Sequence, residues 1–279
     1  RLVSGSDRPE GDGPVLGSPG VDRVLYEGGV YRTPSTNVGL LGTVSPTACV
    51  YPSFIRNVWQ SSALARKGCY GFEDWIDSSM RVLRALERVG VDVEVSGAEH
   101  LQELDGGAVI IGNHMSTMET VILPALIGTI RPVTFIIKDS LFRTPIFRDI
   151  VETIDAIGVT RTQPRQDLKT VLQEGGDRLG KGTSIVVFPQ TTRALDFDPE
   201  QFSSIGVKLA QRAKVPIIPL ALSTQAWANG RWLKDFGGID PSCPVRIAFG
   251  APIDVEGRGQ AEHQQVVDFI ARHLANWSS

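Results

Sequence analysis

No run of this sequence approaches the ~18 consecutive apolar residues that a membrane-spanning helix needs. The longest apolar region, residues 108–130, is interrupted by Asn113, His114 and Glu119. Cysteine is scarce: Cys49, Cys69 and Cys243 show neither a CxxC zinc spacing nor a dense disulfide pattern, which points to a reducing compartment. An excess of basic charge is also missing. With 28 Lys and Arg against 31 Asp and Glu, the net charge is -3, so no global positive field argues for nucleic acid, and anion recognition must come from local clusters. Only four histidines occur. No pair among His100, His114, His263 and His273 has metal-ligand spacing, so no metal site is expected. A phosphate loop is absent too, because "GGDRLGKGTS" places Gly182 after Lys181 where serine or threonine is required, and it precedes a strand. The chain opens at Arg1, which leaves room for a processed or trimmed start.

What is present is ordinary globular material. Hydrophobic residues make up 42% and charged residues 21% of 279 residues, enough for one large domain or two small ones. The first 20 residues hold five glycines and three prolines, and Ser, Thr and Pro stay frequent up to about Gly71. Residues 1–71 therefore read as an irregular N-terminal extension, in which "ACVYPSFIRNVWQ" offers anchors for a core or a membrane surface. From Phe72 onward, Trp75, Ile76, Met80, Leu83, Leu86 and Val89 fall at helical spacing, and Gly90 ends that helix. Strands are expected at 91–95, 108–111, 133–137, 154–159, 184–188, 217–221 and 245–249, with helices near 117–127, 166–179, 202–213 and 260–277. Strands alternating with such helices imply an α/β domain over 72–279, with a mixed, largely parallel sheet flanked by helices.

Function concentrates in "IIGNHMSTMET". Open α/β sheets bind ligands beyond the carboxyl ends of strands, and His114 stands two residues past such an end. Were Ser116 or Thr117 to cap the next helix, Glu119 would lie in its first turn, able to orient the imidazole and stabilise its protonated form. Alone, H-x4-E reads rather as a strand-capping histidine beside a solvated helix acid.

Four blocks taken together are more specific. "NHMSTME", "GVTRTQPR", "FPQTTR" and "VPIIPLAL", in that order between Trp75 and Asp254, resemble the glycerolipid acyltransferase family, which includes lysophosphatidate and glycerol-3-phosphate acyltransferases. The resemblance implies direct acyl transfer from a thioester, acyl-CoA or acyl carrier protein, to a hydroxyl of a lysophospholipid-like acceptor, with no cofactor. It implies His114 as general base and Glu119 as its partner. Arg161 and Arg193 are then the guanidinium groups for a phosphate, with Gln190, Thr191 and Thr192 beside them at the acceptor. The expected location is cytoplasmic, with peripheral contact at the inner face of a membrane. No G-x-S-x-G elbow occurs, which suits a mechanism without an acyl-enzyme.

This chain departs from the family pattern in two places. Glu119 stands where aspartate is usual, so the pair requires a slightly offset backbone. Gln190 and Thr191 replace a glutamate and a glycine, which points to a changed acceptor or a reshaped turn. Two other readings use the same residues: a non-catalytic lipid- or acyl-binding module, and a thioester hydrolase.

Overall fold

The computed structural model describes residues 22–35, 37–190, 192–230 and 236–278. The Gly- and Pro-rich first 20 residues lie outside them. In chain order the described elements are β1 (Tyr31–Arg32), α1 (Leu40–Val44), α2 (Pro46–Arg66), α3 (Phe72–Arg88), β2 (Val93–Ser96), α4 (Glu99–Gln102), β3 (Val109–Gly112), α5 (Met118–Gly128) and β4 (Val133–Lys138). There follow α6 (Phe147–Thr153), β5 (Ile157–Val159), α7 (Pro164–Gly180), β6 (Ser184–Val187), α8 (Ile205–Ala213), β7 (Ile217–Ser223), β8 (Val245–Phe249) and α9 (Gln260–Ser278).

The strands form one sheet in the order β1-β2-β8-β7-β3-β6-β4-β5. From β7 to β5 every pairing is parallel, while β8 runs antiparallel to β7 and β1 antiparallel to β2. Strand side chains alternate between two apolar layers, as the two-residue period of a pleated strand demands. Ile110, Val186, Ile218 and Leu220 join the core beneath α2, α3 and α5. Val109, Ile111, Ile185, Val187 and Ile217 join the core beneath α7, α8 and α9. Both faces are covered, which is why these strands read as continuous apolar runs. The expected α/β architecture is the one observed.

Two helix features follow from single residues. At the end of α3, Gly90 takes φ +93; its amide donates to the Glu87 carbonyl and the Val91 amide to the Leu86 carbonyl, the paired bonds of a Schellman stop. Inside α5, Pro124 removes one amide from the helix ladder. The Ser79 hydroxyl of α3 stands there, donating to the Val121 carbonyl (2.6 Å) and accepting from the Ala125 amide (2.9 Å). It satisfies backbone groups that a buried apolar helix would otherwise leave unpaired.

One expectation needs correction. The supposedly irregular stretch 1–71 contains, in its described part, the 21-residue helix α2 together with β1 and α1. Its pattern hid it, because α2 buries Asn57, Ser61 and Ser62 beside Val50 and Phe54, while Ile55 and Trp59 face outward. Pro46 at its first turn is a favoured helix start. Val24, Tyr31, Val50, Phe54 and Tyr70 belong to the same core as α3 and α5, so apolar packing continues across residue 72. Residues 154–156 likewise form the turn after α6 rather than the start of β5, with Asp155 at φ +53.

Candidate active site

β3 ends at Gly112, yet the chain beyond it stays fastened to its neighbour. Asn113 Nδ2 donates to the Leu222 carbonyl (2.8 Å), and its Oδ1 accepts from the Leu222 amide (2.9 Å). A carboxamide carries the same donor and acceptor as a peptide unit, so this side chain adds one more rung between β3 and β7. His114 is thereby delivered to the carboxyl edge of the sheet on a fixed backbone.

The third block completes that fixation. The His114 amide donates to Gln190 Oε1 (2.7 Å), and its carbonyl accepts from the Ala194 amide (3.0 Å). The imidazole lies flat against Phe188, with centroids 4.5 Å apart and planes 9° apart. Its Nδ1 is 3.1 Å from Glu119 Oε2. The His114 side chain is 11% exposed, so the ring is packed on most sides without being sealed from solvent.

Glu119, in the first turn of α5, is wholly buried. Oε1 accepts from the Met115 amide (2.8 Å), the Ser116 amide (2.9 Å) and the Thr224 hydroxyl (2.6 Å), while Oε2 faces His114 and lies 3.0 Å from the Ser116 amide. The Ser116 hydroxyl donates to Thr224 Oγ1 (3.0 Å) and accepts from the Met118 amide (3.1 Å). A buried carboxylate without such donors would cost several kcal/mol even after the protein relaxes around it; here both oxygens are met. Glutamate therefore forms the pair because its longer arm folds back across the turn.

One of the two guanidinium groups is bonded at this edge, and the other lies within its electrostatic reach. Arg193 donates to the hydroxyl of Thr117, the residue that precedes α5. Partial desolvation, and next the nearby charge of Arg193, lower the pKa of Arg161. Arg161 also holds a left-handed backbone, φ +62, two residues past the end of β5. Gln190 is buried with its side-chain oxygen on His114, and Thr192 is exposed. Thr191 lies outside the described residues. No group of three or more His, Cys, Asp or Glu among the described residues is arranged to hold a metal.

Sequence reasoning missed several contributors. Thr224 lies 105 positions from Glu119, and only the β3–β7 pairing brings them together. Phe188 was visible only as part of a block, and Asn229, whose Nδ2 donates to the Met115 carbonyl (2.8 Å), carried no signal at all.

Comparison with known proteins bears on this geometry. A family profile described as Acyltransferase matches residues 92–223, a span that includes His114, Arg161 and Arg193. A 1-acyl-sn-glycerol-3-phosphate acyltransferase of Pseudomonas aeruginosa is 29% identical over 188 residues, 67% of this chain and 68% of its own length. A Mycoplasma pneumoniae protein named "Probable 1-acyl-sn-glycerol-3-phosphate acyltransferase" is 28% identical over 192 residues, 67% of this chain and 71% of its own length. The crystal structure of PlsC, the 1-acyl-sn-glycerophosphate acyltransferase of Thermotoga maritima, superposes with a TM-score of 0.60. It covers 84% of this chain and 95% of that one at 19% identity, a likeness of fold.

Proposed function

The chain belongs to the glycerolipid acyltransferase family, and from that premise we propose that it carries an acyl group from a thioester to a hydroxyl of a lysophosphatidate-like acceptor. The observation that carries this reading is the His114 Nδ1–Glu119 Oε2 contact of 3.1 Å at the mouth of β3, with Arg193 bonded three residues further on. With Nδ1 committed to the carboxylate, Nε2 is the nitrogen that takes the acceptor's hydroxyl proton. The oxygen attacks the thioester carbonyl carbon, the tetrahedral oxyanion collapses, and the C–S bond breaks. The sulfur then leaves as a thiol with the proton returned by His114. Arg161 and Arg193 hold phosphate, because paired guanidinium forks suit its oxygens and bring the acceptor within reach of the base. Neither a metal nor an acyl-enzyme enters this scheme, and the donor is acyl-CoA or an acyl carrier protein.

Mass spectrometry of products formed from acyl-CoA and a mixture of lysolipids and amino-lipids tests the reading. The expected result is an acylated lysolipid, with one free thiol released per product. Thiol release without acylated lipid identifies a hydrolase instead. Binding of acyl-CoA with no thiol release identifies a non-catalytic module.

The same proposal includes peripheral contact with a membrane. No described helix is long and apolar enough to cross one. Leu40, Leu41 and Val44 of α1 are 75–81% exposed, and Ile55 and Trp59 of α2 are more than half exposed. Beside them lies a hollow of about 690 Å³ lined by Tyr51, Pro52, Ile55, Arg56, Trp59 and Gln60. Such an apolar face with a basic residue fits the headgroup–acyl boundary. The segment after β7 touches the Met115 carbonyl through Asn229, and further along the Gly237 carbonyl accepts from the Tyr51 hydroxyl of α2 (2.7 Å). A protein docked by this face would thus meet lipid close to His114. Replacing Leu41 and Trp59 together by aspartate is expected to weaken binding to anionic vesicles by at least about tenfold, since each buried side chain contributes about 1.5–3 kcal/mol. Flotation assays measure it, and unchanged partitioning would refute the docking face.

A further inference from the structure

Arg161 carries an anomaly that the acceptor site alone does not explain. It is a long, non-glycine residue held at φ +62, a conformation that costs about 1–3 kcal/mol and persists only when its surroundings impose it. What imposes it is Asp167, in the first turns of α7. Asp167 is 7% exposed, and its oxygens are aimed at the backbone of the preceding loop. Oδ1 accepts from the Thr160 amide (2.8 Å) and Oδ2 from the Arg161 amide (2.8 Å). The Thr160 hydroxyl lies 3.0 Å from Oδ1 and 3.2 Å from Oδ2, and accepts from the Thr162 and Gln163 amides, each at 3.2 Å. One carboxylate thus gathers two successive amides and a hydroxyl into a tight loop. Hydrogen bonds to a charged acceptor contribute about 1.5–3 kcal/mol each, enough to offset the left-handed turn.

We propose that Asp167 is a positioning residue for acceptor phosphate, acting by locking the Arg161 backbone so that its guanidinium is held beside that of Arg193. Without this lock the loop would relax to negative φ and swing the Arg161 side chain away. Burial first, and then the charge of Arg193, lower the pKa of Arg161, and a bound dianion would offset the second of these. Asp167 itself touches no substrate. The inference rests on the assignment of Arg161 to phosphate given above.

The test is a double-mutant cycle on the full chain, comparing a 1-acylglycerol 3-phosphate with the 1-acylglycerol that lacks the phosphate. The readout is the ratio of kcat/KM for the two acceptors. Asp167→Asn keeps the shape and offers one acceptor oxygen for two amides. It is expected to lower the ratio by about tenfold or more, mainly through KM for the phosphorylated acceptor. Arg161→Ala is expected to lower it further, and Asp167→Asn added to Arg161→Ala should change nothing more. A wild-type ratio in Asp167→Asn, or full additivity with Arg161→Ala, overturns the proposal while leaving the role of Arg161 intact. A wild-type ratio in Arg161→Ala overturns the phosphate role of Arg161, and the proposal with it. If Asp167→Asn does not fold, Thr160→Val removes the bridging hydroxyl at little structural cost and is expected to shift the ratio in the same direction by a smaller factor. No shift in that variant counts against the proposal.

Discussion

Replacing His114 with alanine is expected to cut kcat/KM for acyl transfer by about 10²–10⁴-fold, the range that a positioned general base supplies. Thiol release from acyl-CoA in the presence of a lysolipid measures it, and a thermal melt run alongside checks the fold. The ring can be removed with little damage because the local backbone does not depend on it. The His114 amide and carbonyl remain bonded to Gln190 and Ala194, and Asn113 still ties the strand end to Leu222. The loss should fall on kcat more than on KM, since the role proposed for the imidazole is to act while the proton moves. Turnover at the wild-type rate would remove His114 from the chemistry.

Glu119→Asp is expected to produce the second large effect, although aspartate is usual at this place in the family block. The shorter acid loses about 1.5 Å of reach. It cannot serve the Met115 and Ser116 amides, the Thr224 hydroxyl and the imidazole together from the same backbone position. Whichever donor is dropped remains buried, at a cost of about 1–3 kcal/mol. If the imidazole is dropped, the ring loses the group that fixes its tautomer. A fall of roughly tenfold to a hundredfold in kcat/KM is expected, with a melting temperature lower by a few degrees. Steady-state kinetics and calorimetry check both. Full activity and an unchanged melt would mean that neither turnover nor stability depends on the longer acid meeting all of these donors at once.

Particular residues show how much of this was legible beforehand. The buried strands stood out because β-branched runs such as those around Ile110, Ile185 and Ile217 leave no other economical way to hide both faces. Helix α3 announced itself through its 3.6-residue stripe and Gly90. Helix α2 did not, because it hides serine and asparagine and shows tryptophan to the outside. The sheet order was also beyond reach, and with it every contact made across strands. The His114–Glu119 contact was legible because its members lie five apart. The place of Thr224 was not, since it exists only once β7 lies beside β3. Gln190 was conspicuous as a departure from the family block, but its bond to the His114 amide depends on a loop closing over 76 residues.

The aromatic plate formed by Phe188 limits what the histidine ring can do over time. With a phenyl group parallel to it at 4.5 Å, the imidazole cannot pivot about its Cβ–Cγ bond unless a neighbouring side chain is pushed aside. Interchange of the two nitrogens is therefore hindered. In the proposed mechanism the same nitrogen then collects the proton and hands it back in each cycle, with no swing of the ring between the two steps.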